Sequence, residues 1–115
     1  MQFKLILAFV KPNISDTVVD AMKKAGATGA TIIPARGTGI HEAKSFFGLS
    51  IEDQTEIIIF LVEEHVVENL MKVIAKAGKF HKPGTGIAFV LPIEHICGLE
   101  SQMKKFKDQA RDEYF

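Results

Sequence analysis

Apolar residues along the chain gather into two kinds of run. Four are short and rich in β-branched or aromatic residues: Phe3 to Val10, Ala30 to Ala35, Glu56 to Val62 and Ile87 to Ile93. Such runs predict strands. Between the first two, Val18, Ala21, Met22 and Ala25 recur at helical spacing, with Ser15 or Asp16 able to cap the start and Gly26 able to end it. Between the last two, Val66, Val67, Leu70, Met71, Ile74 and Ala77 share one helical face, and Gly78 is the expected stop. Both predicted helices end in Lys-Ala-Gly.

The order β-α-β, β-α-β predicts an α+β fold of ferredoxin-like type, a βαββαβ sandwich in which an antiparallel sheet carries both helices on one face. The other face is then uncovered. In the first strand it would show either Phe3, Leu5, Leu7 and Phe9 or Lys4, Ile6, Ala8 and Val10, and both sets are largely apolar. An apolar second face needs a partner, and in so short a chain a further copy of itself is the expected one. Residues 36–55 connect the second and third strands over a length far beyond a hairpin, which marks a functional or disordered connection. The domain is expected to span residues 1–98. Residues 99–115 form a polar tail in which Met103, Phe106, Ala110 and Tyr114 fall at helical intervals, a terminal helix lying on the domain or on a neighbour.

Composition narrows the function. The chain has 115 residues, with 14 basic and 14 acidic side chains. That balance argues against a nucleic-acid binder driven by phosphate neutralisation, and the strands lack the row of exposed aromatics flanked by basic residues that an RNA-binding sheet uses. Cys97 is the single cysteine, so no intrachain disulfide forms and a reducing, cytoplasmic setting is expected. The N-terminal apolar run is interrupted by Lys4 and lacks a small-residue cleavage site, so it predicts a strand and not a signal peptide. No nucleophile with a nearby base, paired carboxylates or Walker-type Gly-Lys-Ser/Thr is apparent, and an enzyme is not expected.

The tetrapeptide Gly-Thr-Gly-Ile occurs twice, at Gly37 to Ile40 and at Gly84 to Ile87. Gly-x-Gly turns allow backbone N–H groups to converge on an anion, since glycine accepts positive φ and lets a ligand approach closely. Together with Val-Lys-Pro after the first strand, Ala-Gly-Ala-Thr-Gly-Ala-Thr-Ile leading into the second, and Pro-Gly-Thr-Gly-Ile-Ala-Phe-Val at the fourth, they make residues 3–96 resemble the P-II family of nitrogen-regulatory signalling proteins. The resemblance implies a ferredoxin-like homotrimer that binds an adenine nucleotide (AMP, ADP or ATP) or another small anion between subunits. It also implies a loop, here about residues 37–55, that docks onto a regulated protein such as a transporter or an enzyme. By position it puts Gly29 and Thr31 near the adenine, Leu61 beside the ring, Gly37, Thr38 and Gly39 at the loop base, and Gly84, Thr85 and Gly86 under the phosphates.

Several positions depart from the family pattern. Ile40 and Ile87 stand where basic residues usually follow the two turns, and Gly98 and Glu100 occupy the usual Arg-x-Arg pair. The loop also lacks the tyrosine that some relatives modify, because Tyr114 is the only one. Arg36, Lys79 and Lys82 flank the turns and either replace the missing phosphate cations or are solvated charges at element ends. His41 and His81 also flank them and offer pH-dependent donors. The four histidines lack zinc-site spacing, so no metal is expected. Phe46-Phe47 either packs back onto the domain or anchors a partner, and Cys97 is expected to be a small buried hydrophobe. Two other readings remain. One is a different ferredoxin-like module that binds a small molecule; the other is a structural or metal-associated trimer without a nucleotide site.

Overall fold

A computed structural model describes residues 2–36 and 54–99. The elements run β1 (Phe3–Val10), α1 (Pro12–Lys24), β2 (Thr31–Arg36), β3 (Gln54–Glu63), a single 3-10 turn (Glu64–Val66), α2 (Val67–Ala77) and β4 (Gly86–Pro92). The strands form one sheet in the order β2-β3-β1-β4, every neighbouring pair antiparallel. This is the expected split arrangement, in which each β-α-β unit leaves room for a strand of the other.

Strand alternation settles which side of β1 faces the helices. Ile6, Ala8 and Val10 are fully buried with Ile58, Phe60 and Val62 of β3, beneath Val18, Val19 and Met22 of α1 and Leu70 and Ile74 of α2. Phe3, Leu5, Leu7 and Phe9 therefore lie on the face opposite α1 and α2. In register with them are Ile57, Ile59 and Leu61 on one side and Ile87, Phe89 and Leu91 on the other. The Phe9 and Phe89 rings stack there, 5.6 Å apart between centroids. The second face of the sheet is thus apolar across three strands. The outer strand β2 is exposed along Thr31 to Pro34, and Pro34 removes one backbone donor from it.

Three local features differ from the sequence expectation. Helix α1 starts at Pro12, not at Ser15 or Asp16: the proline occupies the first turn, where its fixed φ suits a helix and its missing N–H costs nothing. Ser15 instead lies within the helix, 1% exposed, and donates its hydroxyl to Glu56 of β3 across 2.5 Å. A buried side chain one turn into the helix is read as a cap only because serine favours caps.

The two Lys-Ala-Gly endings also part ways. In α1, Gly26 sits just past the cap at φ +116°, with Ala27 N–H bonding Met22 O and Gly26 N–H bonding Lys23 O. This double bond pattern is a Schellman closure. Helix α2 runs one residue further, so Gly78 is itself the cap with right-handed φ, and Lys79 takes the left-handed position at φ +56°. The same pair of bonds closes it, Phe80 N–H to Ala75 O and Lys79 N–H to Lys76 O. Gly78 is needed for a different reason: a Cβ there would run into the Phe80 ring. Finally, Cys97 is exposed, since it follows β4 on a surface segment and not inside the core.

Candidate functional site

A pocket of about 530 Å³ opens at one end of the sheet. Its floor is the end of β3: Ile59 pairs with Thr31, the first residue of β2, and Leu61 and Glu63 extend past it. Thr28, Gly29 and Ala30, which lead out of the α1 closure, form one wall; Phe3 and Leu99 close the other side. Most of this lining is apolar. The polar groups are the Thr28 and Thr31 hydroxyls, the backbone around Gly29, and the Glu63 carboxylate, the one charged side chain in the lining. Glu63 Oε2 lies 3.2 Å from His65 Nδ1, and next to it Lys4 Nζ approaches Glu64 Oε1 at 3.9 Å. An added Cβ at Gly29 would meet nothing within 4 Å, so this glycine leaves open space beside the pocket without being required by packing.

The second Gly-Thr-Gly turn is built differently. Gly84 has φ +84° and Gly86 φ +156°, and the Thr85 hydroxyl lies 2.8 Å from Lys79 O and 2.9 Å from Lys82 O. With one proton it donates to one carbonyl at a time, and either bond ties the 79–85 segment into a closed knuckle. Lys79, His81 and Lys82 are exposed on it. Gly86 is enclosed: a Cβ there would sit 2.5 Å from Phe9 O and 2.9 Å from the Phe80 ring. That glycine allows β4 to start directly against β1, paired with Val10.

Of the residues singled out from sequence, the fold brings Gly29, Thr31 and Leu61 together in the pocket. It does not bring Gly84, Thr85 and Gly86 to them. The pocket lies by Phe3 and the turn by Val10, seven residues apart on β1, or about 23 Å along an extended strand. Arg36 lies at the same end as the turn, opposite Gln54, but on the far edge of the sheet. Ile87 lies beside Phe9 on the face opposite α1 and α2. Gly37, Thr38, Gly39, Ile40, His41, Phe46, Phe47, Glu100 and the tail fall outside the described residues. Phe3, Thr28, Glu63, Val66 and Leu99 line the pocket without having been flagged. The adjacent carboxylates Glu63-Glu64 at the end of a strand-like run were the available signal for one of them.

Comparison with known proteins decides the family. The family model for nitrogen regulatory protein P-II matches residues 3–102, nearly the whole chain. The chain belongs to the P-II family. Its relatives include the nifHD-region glnB-like protein 1 of Methanococcus maripaludis, 27% identical over 104 residues, covering 84% of this chain and 99% of the relative. The corresponding protein of Methanothermobacter marburgensis is 28% identical over 93 residues, 80% of this chain and 89% of its own. The nitrogen regulatory protein P-II of Azospirillum brasilense is 26% identical over 106 residues, 88% and 95% of the two chains. The P-II family consists of nitrogen-regulatory signalling proteins, and identities in this range make the present chain a divergent member. No helix among the described residues is long and apolar enough to cross a membrane, and among them no three His, Cys, Asp or Glu side chains gather closely enough to hold a metal ion.

Proposed function

We propose that this P-II protein is a homotrimer that binds a small effector, an adenine nucleotide or another small anion, between subunits and regulates a partner protein through residues 37–55. The observation that carries the reading is the placement of Gly29, Thr31 and Leu61 in one pocket while the Gly84–Gly86 turn and Arg36 lie at the other end of the sheet. No single small ligand reaches both within one chain. Two copies packed through the apolar face can set the pocket of one against the glycine turn of the other. The apolar lining suits a planar ring, and the pocket volume lies within the usual range for small-molecule sites.

The countercharges set the preference among ligands. Ile87 and Gly98 replace basic residues of the family pattern, and Glu100 adds an acid. Each charge-assisted contact to a phosphate contributes roughly 1.5–3 kcal/mol. Without two of them, about 3 kcal/mol or more, triphosphate affinity falls by roughly two orders of magnitude. AMP or ADP is therefore expected to bind at least as well as ATP. Calorimetric titration of the three nucleotides tests this, with Gly29→Ala and Thr31→Val as site variants. Gly29 is a sound position because its replacement collides with nothing in the fold. Tightest binding by ATP would show that Arg36, Lys79 or Lys82 has taken over the phosphates; no binding by any nucleotide, with the trimer intact, would favour a structural role or a chemically different effector.

A further inference from the structure

Strand alternation fixes the side of the sheet on which Glu63, the charged residue of the pocket lining, stands. Ile58, Phe60 and Val62 are buried beneath the helices, so Ile59, Leu61 and Glu63 share the opposite face of β3. Glu63 pairs there with Phe3, and Ile59 with Thr31. The carboxylate therefore ends an apolar strip that begins at a threonine about 13 Å away along the strand. Its side chain is 32% exposed, and Oε2 lies 3.2 Å from Nδ1 of the more exposed His65. An ionised carboxylate has acceptor sites only, about four in all, so one histidine contact leaves most of them for a ligand.

Such a group discriminates between the edges of planar rings. Adenine presents a donor, its 6-amino group, beside an acceptor, N1; a carboxylate gains one hydrogen bond from that edge and opposes one lone pair. Guanine presents two adjacent donors, N1–H and the 2-amino group, which match the two carboxylate oxygens as a fork. The remaining guanine acceptors, O6 and N7, suit the Thr28 and Thr31 hydroxyls.

We infer that Glu63 sets the base specificity of this pocket, which takes a guanine-type ring with two adjacent N–H donors in preference to adenine. The inference rests on the effector reading above for a ring in the pocket, and within that reading it selects a purine nucleotide outside the adenine series. The same carboxylate repels a phosphate, so the anionic end of the ligand lies outside the pocket.

Calorimetric titration of the full chain with GMP, IMP, AMP and guanosine tests this. GMP is expected to bind roughly tenfold or more tightly than AMP, with IMP, which keeps N1–H and lacks the 2-amino group, between them. Glu63→Gln keeps the shape but offers one acceptor and one donor, the complement of the adenine edge. It is expected to reverse the order of GMP and AMP while the melting temperature stays near that of the wild type, since its partner His65 is exposed. AMP binding the wild type as tightly as GMP overturns the inference and leaves the effector reading standing. A GMP preference that survives Glu63→Gln overturns the role of Glu63. Guanosine binding as tightly as GMP, and more tightly than AMP, supports the ring specificity while removing the anionic effector. Binding by none of the four overturns both.

Discussion

Ser15 is the buried polar side chain of the described core, and its one partner is Glu56. Hydrogen bonds to a charged group contribute more than neutral ones because the lone charge is costly to desolvate. Ser15→Ala is expected to lower stability by about 1–2 kcal/mol, read as a shift in urea midpoint, by leaving the half-buried Glu56 carboxylate without this donor. At Lys79 the direction reverses. A side chain at φ +56° bears a backbone penalty that glycine avoids. Lys79→Gly should stabilise the protein by up to about 1 kcal/mol, whereas Gly78→Ala should destabilise it by forcing Phe80 aside. Neither effect was visible from the repeated Lys-Ala-Gly. A register difference of one residue relative to the helix end decides which position must be left-handed, and only the hydrogen bonds reveal it.

At the level of elements, the two Gly-Thr-Gly repeats looked equivalent as text. The second one is fixed first by packing, since Gly86 lies against Phe9 O and the Phe80 ring so that β4 can pair with β1. Substituting Gly86 by Val is therefore expected to lower the melting temperature sharply, and any accompanying loss of ligand would report on folding. Gly29→Ala should leave the melting temperature nearly unchanged, so that its effect on a titration reports on the site. The strands and helices themselves were legible because period-two and helical patterns survive in a chain whose core is almost wholly aliphatic. β1 matches its predicted limits, and β3 extends two residues earlier and one later than expected. The pocket was legible only in part. Gly29, Thr31 and Leu61 came from resemblance, while Phe3, Glu63 and Leu99 join them through strand register and a chain reversal that no local pattern encodes.

At the scale of the whole molecule, the described residues leave a broad apolar sheet face bearing Leu5, Leu7, Phe9, Ile57, Phe89 and Leu91. If it is the seam between copies, one buried charge should break it. Leu7→Glu lies at the centre of that face, opposite both Ile59 and Phe89, and is expected to convert the proposed trimer to monomer in light scattering at micromolar concentration. A trimer that persists in this variant would place the contact elsewhere.

Pro34 gives the outer strand a further significance. Thr31, Ile32 and Ile33 are exposed there, with Ile32 and Ile33 at 38% and 41% of their surface accessible, a short β-prone stretch on a sheet edge. Such edges recruit further strands and seed fibrils unless something interrupts their row of donors. Proline does so because it has no N–H to give. Pro34→Thr would complete the row without touching the core, and is expected to leave the melting temperature close to that of the wild type while shortening the lag before thioflavin-positive aggregates form. In this chain a single imino acid on an outer strand would then keep self-association on the broad face of the sheet and away from open-ended growth along its rim.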